Sequence, residues 1–142
     1  MITLSFILGT VFIILEAICN AIMDTIDHHS GKSIFPKTLW WNSNKGWLNK
    51  YIDRDQTKGR VQWDLKLFKM NKPVQLTDAW HFFKMLGIIC YVSAGVCLPS
   101  IFILLSDLEW YLILGNMLAY ILGLGLIRNN VFSLFYNKLL LK

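Results

Sequence analysis

The sequence predicts an all-α integral membrane protein: three transmembrane helices, with a Trp-rich interfacial cytoplasmic loop between the first and second. Three observations predict it. The 142 residues are 55% hydrophobic and only 16% charged, with a mean hydropathy of +0.46, whereas a soluble domain carries about 25% charged residues. The apolar residues fall in three runs, 2 to 22, 83 to 105 and 110 to 127, and about 20 residues cross a hydrocarbon core. The 14 Lys and Arg lie between the first run and the start of the second, as far as Lys84, or after the third run. A chain of this length holds a single domain, here a membrane domain over 1–142.

The first run, ITLSFILGTVFIILEAICNAI, contains one acid, Glu16. It reads as a retained span, since it has neither a basic leading segment nor a small-x-small cleavage site. The second run contains Pro99, which is expected to kink it, a distortion that membrane helices tolerate. Ser106-Asp107-Leu108-Glu109 matches a capping box that would open the third helix, so the second and third helices are expected to form a tight antiparallel hairpin. Gly115, Gly123 and Gly125 give the third helix small surfaces for close helix approach. Cys19, Cys90 and Cys97 all sit in apolar runs and read as reduced thiols.

The charge orients the spans. Eleven basic residues, from Lys32 to Lys84, lie between the first helix and the start of the second, and Arg128, Lys138 and Lys142 come later. The turn between the second and third helices carries only Asp107 and Glu109. The positive-inside rule then puts the N-terminus outside and the C-terminus in the cytoplasm of a multi-pass bacterial inner membrane protein. The basic excess reads as attraction to anionic membrane lipids, with no nucleic-acid partner expected.

Residues 30 to 77 form the polar stretch and hold Trp40, Trp41, Trp47, Trp63 and Tyr51, side chains that favour the headgroup level. Within it, 44–52 reads as a short interfacial helix and 53–60 as a polar turn without the acid that would close a calcium loop. The alternation from Val61 to Leu67 reads as a short strand. The tail, 129–142, reads as an amphipathic or continuing helix. Ser30-Gly31-Lys32-Ser33 lacks the upstream Gly of a phosphate loop.

The polar residues of the first helix carry the functional signal. Glu16, Asn20, Asp24 and His28 recur every four residues, with Asp27 beside them, and residues four apart share a helix face. Ionisable groups at membrane depth cost about 2.5–3.5 kcal/mol and need partners. The second helix offers some: Thr77 reads as its N-cap, with Asp78 and His81 in the first turn. Asp24, His28, Asp78 and His81 are therefore the candidate catalytic residues. With Asp27 they also form a candidate ligand set for a divalent metal. Lys45, Lys50, Trp41, Trp47 and Asn42 are the candidates for holding a substrate headgroup, and Glu16 and Asn20 are intramembrane polar residues. Set against this is a structural reading, in which Glu16 and Asn20 are hydrogen-bonding glue and the other acids are solvated.

The segments AIMDTIDHHSGKSIF, WWN, GWLNKY and LTDAWHFFK resemble those of a group of small uncharacterised bacterial and phage integral membrane proteins. That group carries MDT with a downstream SIF, a WN, a W-x-N-K-Y-like element and LTD-x-WH before a membrane helix. The resemblance covers roughly residues 20 to 85 and implies membrane residence, with no activity attached. A weaker likeness is to VanZ-like membrane proteins, whose motif of acid, lysine and histidine opens a helix. Asp78 and His81 match the acid and histidine, and Ala79 stands where the lysine would be. The functional expectation is an enzyme or binding protein acting on a lipid or lipid-linked anion at the cytoplasmic headgroup level. The alternative is a non-enzymatic subunit, as a homo-oligomer or on a partner membrane protein, whose polar stripe packs against another helix.

Overall fold

The computed structural model describes residues 2–29, 31–65, 68–71, 73, 76–104 and 108–141. Three helices dominate it: α1 (Ile2–His28), α3 (Ala79–Leu104) and α4 (Trp110–Leu134). A four-residue helix α2 (Ser43–Gly46) and a hairpin of β1 (Gln62–Leu65) and β2 (Phe68–Asn71) lie between α1 and α3. All three long helices are long and apolar enough to cross a membrane.

Each helix outruns its apolar run. α1 continues six residues past position 22 and α3 starts at Ala79 instead of 83. α4 continues as a helix to Leu134 and then through one π-helical turn, Phe135–Leu139, so the tail is not a separate element. Hydropathy marks where a helix becomes wet, not where its hydrogen bonds stop. α3 passes through Pro99 without a break in its helical assignment. Glu109 is itself the N-cap residue of α4, and its side chain makes no capping bond. The helix therefore starts one turn later than a capping box requires, while Ser106 and Asp107 lie outside the described residues. The expected strand is present over Gln62–Leu65, paired antiparallel with β2 so that Trp63 faces Met70 in register.

α1 is the hub. It packs against α3 over most of its length and against α4 to a lesser degree; among the described residues α3 and α4 make no comparable contact with each other, and the turn of the expected tight α3–α4 hairpin, 105–107, lies outside them. The register is consistent along each pair. On the antiparallel α1–α3 side, Gly9 faces Cys97 and Cys19 faces Gly87. On the parallel α1–α4 side, Tyr120 donates from its hydroxyl to the carbonyl of Phe6, and Arg128 meets Glu16. Ala17, Cys19, Ala21, Cys90 and Ala94 are all buried. These small side chains let the backbones of α1 and α3 approach, the usual solution where lipid supplies no hydrophobic drive between helices. The hydroxyls of Thr10 and Thr25 and the amides of Asn116 and Asn130 each donate to a carbonyl four residues back, so they need no partner helix. The three cysteines are free thiols.

The outward faces are apolar. Val96 is 68% exposed and Leu126 66%, in a run of exposed Ile, Val and Leu along α3 and α4, far more than a water-soluble monomer presents.

At the end of the bundle where α1 stops, the chain is stitched together. The backbone of Ile34 donates to the carbonyl of Leu140, and Ser33 bridges Leu141, so the tail pairs with the segment following α1. Trp41 stacks on Phe35 with centroids 4.4 Å apart, while Trp40 contacts Phe82 and Trp41 contacts Phe83 of α3. The side chain of Trp63 lies outside the described set.

Candidate functional site

Two polar constellations emerge, one inside the helix bundle and one at its end. The inner one begins at Glu16, which is 7% exposed. Arg128 of α4 clasps it with both edges of the pair engaged, donating from Nε to Oε2 at 2.8 Å and from Nη2 to Oε1 at 3.1 Å. Asn20 also donates to Oε1 from its side-chain amide. The partner of the stripe is therefore α4, not the start of α3 as the sequence reading expects. Arg128 was missed because nothing local marks it: it lies 112 residues from Glu16. The available signal was that it borders the third apolar run, immediately after Ile127, where a charge at the edge of the apolar stretch needs a partner.

The outer constellation is built on the first turn of α3. Asp78, not Thr77, is the N-cap residue: its Oδ1 accepts from the backbone N–H of His81 at 3.0 Å. The same carboxylate lies 2.8 Å (Oδ2) and 3.0 Å (Oδ1) from Nδ1 of His81, and it accepts from the hydroxyl of Thr77 at 3.0 Å. An ionised carboxylate can only accept, so the ring donates from Nδ1 and Nε2 is the nitrogen left unengaged by Asp78. Asp78 is 2% exposed and the His81 side chain 32%, so the acid is hidden and the imidazole presented.

The loop holds this turn from the outside. Asn42 caps α2 by accepting from the backbone of Asn44 and Lys45. That places Gly46 against Asp78, where a Cβ would lie 2.6 Å from the Cβ of Asp78 and 2.9 Å from the carbonyl oxygen of Leu39. Asn49 donates to the carbonyl of Thr77 at 2.9 Å. Gly46→Ala is therefore expected to destabilise the protein by about 1–3 kcal/mol through overpacking against backbone and a short side chain, read as a lowered denaturation midpoint in detergent.

His81 opens on a cavity of about 260 Å³ lined by Asp27, Ser43, Trp47, Asp78, Trp80 and His81. Asp27 thus joins the Asp78–His81 pair at one cavity, while Asp24 and His28 do not line it. Among the described residues no group of three or more His, Cys, Asp or Glu is placed to hold a metal ion. The five-residue ligand set of Asp24, Asp27, His28, Asp78 and His81 is not assembled.

The headgroup candidates divide. Trp47 lines the cavity and donates from its indole to the carbonyl of Asn44. Lys50 sits 5.1 Å above the Trp47 ring and 5.2 Å above that of Tyr51. Trp41 and Asn42 line a different depression with Lys37 and Thr38, and the side-chain oxygen of Asn42 serves as a cap. Lys45 is exposed. Beyond them, two donors from Thr57 hold the Asp55 carboxyl below its ordinary range, so that turn keeps its charge into mildly acidic solution.

An acid that orients a histidine, a second carboxylate across a small cavity and an aromatic wall can move a proton to or from a bound group. No protein-family model, curated protein or solved structure matches the chain.

Proposed function

We propose that this protein is a multi-pass membrane enzyme of the bacterial inner membrane. It acts at the cytoplasmic headgroup level on a lipid or lipid-linked anion. The observation that carries the reading is the buried Asp78 holding Nδ1 of His81, with the rest of the ring open to a cavity shared with Asp27. In this reading His81 is the general base or acid at Nε2, Asp78 positions it, and Trp47 and Trp80 wall the site. Two features support the location. The distribution of Lys and Arg puts this end of the bundle in the cytoplasm, and the aromatic side chains gather at that end, as at a headgroup boundary.

The test is direct. The purified protein is incubated with vesicles of total bacterial lipid, and headgroup loss or transfer is followed by mass spectrometry. His81→Ala is expected to lower turnover about 10²–10⁴-fold, the usual worth of a positioned acid or base, while leaving the fold intact. A wild-type protein that turns over no lipid, and is recovered with one stoichiometric membrane partner, would replace the enzyme with an accessory subunit. Stoichiometric metal in protein purified without chelator, lost in Asp78→Ala, would replace proton transfer by metal chemistry.

A further inference from the structure

We infer that one face of the bundle is a track for a single anionic phospholipid, its hydrocarbon chain in a cleft between α3 and α4 and its phosphate between Arg128 and Lys84. Three cavities line up to make it. The innermost, about 260 Å³, is floored by Ile13 and walled by Ala94, Gly95 and Leu98 on one side and by Ile121, Leu124 and Gly125 on the other. Tyr91 and Arg128 border it. Tyr91 also borders the next cavity, about 360 Å³, together with Glu16, the partner of Arg128, and with Asn20, Met23 and Lys84. The third is the His81 cavity.

Helical geometry makes these one path. On α3 the lining positions 81, 84, 88, 91, 95 and 98 alternate steps of three and four, which keeps them on one face. On α1 the positions 13, 16, 20, 23 and 27 do the same. From His81 to Leu98 the path is about 26 Å long at 1.5 Å per residue. Its chemistry changes along the way: from Leu98 to Tyr91 the lining is apolar but for Arg128, and from there to His81 charged and amide side chains enter a wall that stays largely apolar.

Charge complementarity chooses the occupant. Glu16 is already neutralised, since Arg128 gives it Nε and one Nη2 hydrogen. The guanidinium keeps three further N–H donors, and its side chain is 38% exposed. Lys84 adds a second cation on the same track, its ammonium 4.6 Å from the centroid of the Trp80 ring. An apolar slot bordered by the ammonium of Lys84 and the unused donors of Arg128 fits a hydrocarbon chain with an anionic head, whereas a partner helix would have to place an acid at the same point. The inference deepens the proposed function and rests on it only where the far end of the headgroup reaches His81.

The experiment is native mass spectrometry of the full chain, released from bicelles of phosphatidylglycerol or phosphatidylcholine. One phosphatidylglycerol per chain is expected to be retained, at least tenfold in preference to phosphatidylcholine. A Cβ at Gly95 or Gly125 meets nothing within 4 Å, so Gly95→Leu and Gly125→Leu extend from open space into the slot, and each should cut retention at least tenfold. Gly115 is equally open and lies off the track, so Gly115→Leu should retain the lipid. Lys84→Gln should abolish the preference between headgroups. Retention unchanged by both slot-filling variants overturns the inference, as does a dimer that Gly125→Leu dissociates. His81→Ala separates the two claims: retained lipid with lost turnover supports both, and retained lipid with unchanged turnover sinks only the catalytic role.

Discussion

Arg128→Ala is expected to be the most damaging single substitution in the protein. It leaves Glu16, 7% exposed, as a carboxylate whose remaining hydrogen-bond donor is the amide of Asn20. Breaking a fully buried pair costs about 3–5 kcal/mol; with Glu16 buried but Arg128 38% exposed, a loss towards the low end is expected. Replacing both, as in Glu16→Leu with Arg128→Leu, removes the stranded charge and is expected to return most of the loss, since well-packed apolar pairs often equal or exceed buried ion pairs. Denaturant unfolding of the four proteins in mixed micelles gives the coupling energy, which should exceed about 2 kcal/mol. If Arg128→Ala unfolds within about 1 kcal/mol of the parent, the pair does not anchor α4 to α1.

Asp78 carries the second large effect, and two substitutions divide its roles. Asp78→Ala deletes the acceptor for the backbone N–H of His81, for Nδ1 and for the hydroxyl of Thr77. A loss of about 1–2 kcal/mol is expected for the cap alone. Asp78→Asn keeps a good capping oxygen, so stability should stay within about 0.5 kcal/mol of the parent. It also removes the charge and disturbs the ring's tautomer, so kcat should fall at least tenfold with KM little changed. A structural cap would show the stability loss in the Ala variant and no kcat loss in the Asn variant, which would end the case for Asp78 as a positioning residue.

The three long apolar helices were legible because length and hydropathy mark them, and their ends were not, because a helix continues wherever its hydrogen bonds do. The acid stripe of α1 shows the finer limit. Glu16 and Asn20 do share a face and do bond to each other. Four residues turn a helix about 40° beyond a full revolution, so by Asp24 and His28 the stripe has rotated off that face. The alternation of three and four through positions 20, 23 and 27 holds it instead. That is why Asp27, which the sequence reading set beside the stripe, reaches the cavity and the two stripe residues do not. The Asp78–His81 pair was visible because it is local, three residues apart at a helix start. The Glu16–Arg128 pair and the packing of Gly46 on Asp78 were not, because each joins segments far apart in the chain.

The position of α1 at the centre also sets a timetable for biogenesis. The first helix made is the one both others need, and its acid waits for a guanidinium encoded 112 residues later. At about 5–20 residues per second of synthesis, that interval is roughly 6–22 s. During it Glu16 has no counter-ion from α4. Assembly is thus closed by the last helix, and a chain truncated before Arg128 presents α1 with an unmatched acid.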